Sequence, residues 1–122
     1  MLAIYLSLLL AFSTTSPTAL PRDEGKMPSI DQLLYMTRLS DCESSGSSTI
    51  KVLDSNNKYS YGAYQFQMQT WLAQSEKYGL DYKEKDIYYF TKQARLAYLM
   101  LSDDGEGQWY TCGLKRLGKF PK

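Results

Sequence analysis

The chain has 122 residues, 43% of them hydrophobic and 14% aromatic, enough to bury a single core and too few for two domains. Fourteen basic residues against thirteen acidic ones leave a net charge of +1, which excludes the broad positive field of a nucleic-acid binder. There is no histidine and there are only two cysteines, so zinc or iron–sulfur ligation lacks its ligands, and no cofactor or metal is expected.

The opening run, MLAIYLSLLLAF, is almost wholly apolar and is followed by STTSPTALP, small and polar with two prolines. It falls short of the about 20 residues that cross a hydrocarbon core. The pattern therefore predicts a signal peptide over 1–19, cleaved after Ser13 or after Ala19, rather than stable membrane insertion. The alternative is an N-terminal helix packed onto the mature fold. Residues 20–28, which include PRDEGKMP, read as a linker, and 29–122 as the folded domain. Export agrees with the cysteines: Cys42 and Cys112 stand 70 positions apart, and a disulfide is the natural reading, with two buried thiols as the alternative. Closing so long a loop is worth about 4 kcal/mol in the chain-entropy treatment.

Ser29 stands three residues before Gln32, a capping box that starts a helix. Ile30, Leu33, Leu34 and Thr37 fall on one face, and Gly46 is the stop. Glu43 then sits in the last turn, where the negative end of the helix dipole and apolar walls both disfavour its charged form. The polar segment 47–61 holds β-branched Thr49, Ile50 and Val52 and reads as a loop or small hairpin turning at DSNN. Within it Asp54 is expected to supply turn chemistry, its carboxylate accepting backbone N–H bonds two residues on. The string FQMQTWLAQSEKYG predicts a second helix with Phe66, Trp71 and Leu72 as anchors and Gly79 at its end. A third is predicted over DIYYFTKQARLAYLML, carrying Ile87, Phe90, Ala94, Ala97, Tyr98 and Leu101 at helical spacing, and a short fourth from Trp109 to Leu117. Trp109 is expected to pack against the disulfide. Lys115, Arg116, Lys119 and Lys122 read as a solvated positive end. The fold class is mainly α, of the α+β kind.

An isolated glutamate at a helix end is ordinarily solvated surface, and Tyr59, Tyr61 and Tyr64 could equally pack or line a sugar site. Gln65 is a polar residue inside an aromatic run, where burial would oblige it to find partners, and this points to a cleft. The order CESSG, a loop, YGAYQFQMQTW, QARLAYLML and then GQWYTCG resembles the resuscitation-promoting-factor branch of the lysozyme and soluble lytic transglycosylase superfamily. In that branch Cys-Glu-Ser-Gly-Gly, Tyr-Gly-Gly-Leu-Gln-Phe, a Thr-Trp pair and a late Trp-x-x-Cys recur in this order. The resemblance runs from about Leu39 to Gly113. It implies a small lysozyme-like domain whose cleft holds a glycan chain, with Glu43 as catalytic acid and Cys42 bonded to Cys112. Gln65 matches a glutamine that lines the cleft, and Tyr61, Gly62 and Tyr64 fall where the family places the opposite, substrate-binding wall. The chain departs at Ala63 and Tyr64, which replace Gly-Leu, at Ser45, which replaces Gly, and in a loop without the usual Gly-Asn-Trp start.

The resemblance implies a secreted or cell-wall-associated enzyme, acting as a monomer on peptidoglycan glycan strands. Asp41 lies two residues before Glu43, about 200° round the helix, and points away from it. Asp54 could face the cleft but matches no motif of the family. A single acid suffices if the N-acetyl group and C6 hydroxyl of N-acetylmuramic acid complete the reaction, which is the course of a lytic transglycosylase and leaves 1,6-anhydro ends. The alternatives are a hydrolysing muramidase that uses water, and a non-catalytic glycan-binding or signalling module.

Overall fold

Ser29 starts the first helix, α1 (Ile30–Ser44), as its spacing from Gln32 predicts. The Ser29 hydroxyl accepts the Gln32 N–H at 3.1 Å while the Gln32 side chain accepts the Ser29 N–H at 2.9 Å. The computed structural model describes Leu8 and residues 27–122. The expected signal peptide and linker lie outside the described residues apart from Leu8, Met27 and Pro28, and Leu8 is fully buried in the core.

The helix ends in two left-handed residues, Ser45 and Gly46, with φ of 54° and 77°, whose N–H groups reach back to Asp41 and Ser40 carbonyls. Its buried residues are Leu33, Tyr35, Met36, Thr37, Leu39, Ser40 and Ser44, so Leu33 and Thr37 of the expected face are inside and Ile30 and Leu34 are not. Ile30 is 61% exposed and Leu34 37%. Three of the inward positions are hydroxylated: Thr37 donates to Leu33 O within the helix, and the Ser44 hydroxyl reaches both Ser40 O and, across from the helix, Ala63 O.

The polar segment forms the anticipated hairpin, β1 (Lys51–Leu53) antiparallel to β2 (Tyr59–Tyr61). A third strand, β3 (Phe66–Gln67), joins the other edge with Ser60 opposite Gln67 and Tyr61 opposite Phe66. Phe66 therefore belongs to the sheet, and the second helix, α2 (Met68–Lys77), begins two residues later than its string suggests. Trp71 of α2 is fully buried and donates its indole N–H to Lys83 O at 3.0 Å, whereas Leu72 is 36% exposed. Gly79, with φ of 70°, follows the end of α2.

A 3-10 turn (Glu84–Asp86) leads into α3 (Phe90–Ser102), which buries Ala94, Ala97, Tyr98 and Leu101 as its period predicts, although Ile87 lies ahead of it. A second 3-10 turn (Glu106–Trp109) and a π-helix (Tyr110–Leu117) occupy the place of the expected fourth helix. Phe66 and its ring neighbours Trp71 and Trp109, at 5.4 and 5.7 Å, form the aromatic centre of the core. The positive end is docked: Phe120 is buried edge-on to Tyr35 at 5.2 Å, and its N–H donates to the buried Glu106 carboxylate at 2.6 Å. The lysines around it remain exposed, and Lys122 pairs with Asp104. Cys42 and Cys112 are bonded, tying the last turn of α1 to the π-helix. Among the described residues no helix is long and apolar enough to cross a membrane.

Candidate active site

The end of α1, the hairpin and the turn before β3 surround a cleft of about 420 Å³. Glu43 comes to it from α1, Asp54 and Ser60 from the hairpin, Gln65 and Gln67 from the turn and β3, Thr70 from α2, and Gln108 with Trp109 from the second 3-10 turn. Glu43 is fixed from both sides in sequence. Cys42 is held by the disulfide, and the Ser44 hydroxyl grips Ala63 O at 2.8 Å.

Glu43 is half-buried, and among the described residues neither a hydrogen-bond donor nor a cation is paired with its carboxylate. Burial, and secondarily the negative charge of Asp54, push its carboxyl from the ordinary 4.5 up to about 7. Asp41 is exposed, on the other side of the helix.

Asp54 corrects the sequence reading. Its carboxylate does not close the turn; that bond is made by Asn56, whose side-chain oxygen accepts the Lys58 N–H at 3.1 Å. Instead, one oxygen of Asp54, Oδ2, accepts from the Ser60 hydroxyl and from Gln67 Nε2 at 2.8 Å. Strand alternation is the cause. Val52 and Gln67 are both directly opposite Ser60, so these three share a face, and Asp54, two residues after Val52, falls on the same side.

The same alternation removes Tyr61 from the cleft. It lies on the face opposite Ser60, edge-on to Tyr88 at 5.6 Å, while Tyr59 lies beneath the Lys51 ammonium. Tyr64 is a core residue, fully buried, with its hydroxyl donated to Met36 O at 3.1 Å and its phenol pKa driven upward by burial. Gly62 is buried too, and its role is steric: φ is 76°, and a Cβ there would stand 2.5 Å from Gln93 Nε2. Of the four residues expected to bind substrate, Gln65 alone lines the cleft. Its own backbone is left-handed, φ 54°, and its side chain donates to Gly62 O at 2.9 Å. Trp109, expected against the disulfide, stands with Tyr64 and Phe66 and gives its indole N–H to Tyr64 O at 2.7 Å.

The turn that carries Gln65 is held by Gln93, a fully buried amide of α3 that sequence reading missed. Its Nε2 donates to Tyr61 O and Ile87 O, and its Oε1 accepts the Tyr64 N–H. The available signal was its position one turn before Ala97 on the apolar stripe of α3. Ser60 and Gln67 were also missed. The signal for them was the polar alternation through YSYGAYQFQ.

The arrangement puts an acid that still holds part of its proton population near neutral pH beside a second, clamped carboxylate in a polar cleft, a division of roles that suits acid-assisted bond cleavage. Among the described residues no group of three or more Cys, Asp or Glu side chains could hold a metal ion. No family model, no curated protein and no solved structure matches the chain.

Proposed function

We propose that this protein cleaves the β-1,4 glycosidic bond between N-acetylmuramic acid and N-acetylglucosamine in peptidoglycan strands, with Glu43 as proton donor. The observation that carries this reading is the Glu43 carboxyl, raised to about 7 and unpaired among the described residues, at the wall of a cleft of about 420 Å³. A carboxylic acid that is still partly protonated at neutral pH can hand its proton to a leaving oxygen. The lysozyme-like order of motifs supports the substrate class, and the disulfide suits the oxidising side of a membrane, in keeping with a secreted or cell-wall-associated enzyme.

In the lytic transglycosylase course Glu43 protonates the leaving oxygen, the N-acetyl group stabilises the anomeric carbon, and the C6 hydroxyl attacks while Glu43 takes its proton. This course requires no second carboxylate. One observation favours a second reading, hydrolysis by water in the manner of a muramidase: Asp54 lines the same cleft as Glu43. Purified peptidoglycan incubated with the protein and analysed by mass spectrometry separates the two, since the first leaves 1,6-anhydro ends and the second reducing ends. Glu43→Gln is expected to abolish cleavage without unfolding the protein. No fragments from the wild-type protein, or activity of Glu43→Gln within tenfold of wild type, refutes the proposal.

A further inference from the structure

The geometry points to Asp54 as a second catalytic residue of this cleft, the fixed negative charge facing the sugar ring as it becomes positive, with Ser60 and Gln67 as the positioning residues that hold it. The inference rests on the glycan-cleaving reading above and applies whichever acceptor completes the reaction.

Three observations carry it. The turn 54–58 does not need the Asp54 side chain, because Asn56 already caps it and the backbone bonds Asp54 N–H to Lys58 O and Asn57 N–H to Asp54 O close it. The carboxylate is nevertheless held by two side chains from two strands, Ser60 and Gln67, and Gln67 is itself braced by exchanging bonds with the Asn56 amide at 3.1 and 3.2 Å. Both donors go to one oxygen. Among the described residues Oδ1 is engaged by no donor, which leaves it to a ligand in the cleft that Asp54 lines. A carboxylate immobilised through one oxygen and open at the other is built to meet positive charge from outside the protein.

Among the described residues Glu43 and Asp54 are the two carboxylic acids that line the cleft. In the step assigned here, the Glu43 carboxyl gives its proton to the glycosidic oxygen as the C1–O bond breaks and its electron pair leaves with that oxygen. The positive charge left on C1 and the ring oxygen faces the Asp54 carboxylate. The acceptor oxygen, from the C6 hydroxyl or from water, then bonds to C1, and its proton returns to the Glu43 carboxylate. Asp54 forms no bond and exchanges no proton in this scheme.

The test compares wild type, Glu43→Gln, Asp54→Asn and Gln67→Met for initial rates of fragment release from purified peptidoglycan, with the Glu43 carboxyl titrated by carbon-13 NMR in wild type and Asp54→Asn. Expected are a loss of about a hundredfold in Asp54→Asn and about tenfold in Gln67→Met, in line with the removal of one fixed charge and of one residue that orients it. The Glu43 midpoint should fall in Asp54→Asn, a readout that a merely structural role would not move. If wild type cleaves and Glu43→Gln does not, yet Asp54→Asn stays within tenfold of wild type or leaves the Glu43 midpoint unchanged, the inference is overturned and the function stands. If wild type releases nothing, the function falls and takes the inference with it. Should Asp54→Asn fail to fold, Gln67→Met decides, and an undiminished rate there overturns the assignment.

Discussion

Replacing Glu43 with glutamine should stabilise the protein, and only at neutral to alkaline pH. The folded carboxyl titrates near 7 against 4.5 for an unconstrained one, so the folded state binds the proton more tightly than the unfolded state does. Below about pH 4.5 the residue is protonated in both states and costs nothing. Between 4.5 and 7 the unfolded chain ionises first, and above 7 the folded protein holds a charge that its surroundings disfavour. The full difference corresponds to about 3 kcal/mol, and because solvent reaches this half-buried side chain we discount it to about 2 kcal/mol. Glu43→Gln removes that penalty. Thermal unfolding followed by circular dichroism should place the variant within about 2 °C of wild type at pH 4 and about 5 to 10 °C above it at pH 8. A difference that is flat across this range, or a variant less stable at pH 8, refutes the assignment of a strained acid at the cleft. The assay needs no substrate, so it tests the electrostatics of Glu43 apart from the reaction proposed for it.

Gln93→Leu should cost about 3 kcal/mol in urea unfolding, because the Tyr61 and Ile87 carbonyls and the Tyr64 N–H lose their partner inside the core; a cost under 1 kcal/mol would show that the amide does not hold the turn. Reducing the Cys42–Cys112 bond, whose partners are 70 residues apart, should lower stability by about 4 kcal/mol, and an unchanged urea midpoint under reductant would contradict the closure argument.

What the sequence discloses here is local. The capping box at Ser29 and Gln32 and the hairpin are written in residues within reach of one another, and structure and pattern agree on them. The placement of Glu43 in the last turn of α1 follows from the Gly46 stop. What the pattern misplaces depends on partners distant in the chain. Periodicity gave α1 an apolar face that includes Ile30 and Leu34, whereas both are exposed and Thr37, Ser40 and Ser44 share the inward side with Leu33, Met36 and Leu39, Ser44 being bonded to Ala63 O. Phe66 could not be told from a helix residue, since its strand exists only by pairing with Tyr61. Asp54 in a Ser-Asn-Asn context matches turn chemistry on composition alone; the orientation that brings it to Ser60 and Gln67 comes from the register of three strands. Tyr64 and Phe120 are aromatic residues whose burial is a property of the assembled core.

The docking of residues 110–120 against α1 bears on the order of events during synthesis. Tyr35 meets Phe120, its hydroxyl is accepted by Gly118 O at 2.7 Å, and Cys42 is bonded to Cys112. The first helix of the domain thus meets Ala63 and Tyr64 early, through Ser44 and Met36 O, but gains its last contacts only after some seventy to eighty further residues have been made. Oxidation must wait for Cys112, so the disulfide locks an arrangement whose earlier contacts can already be in place.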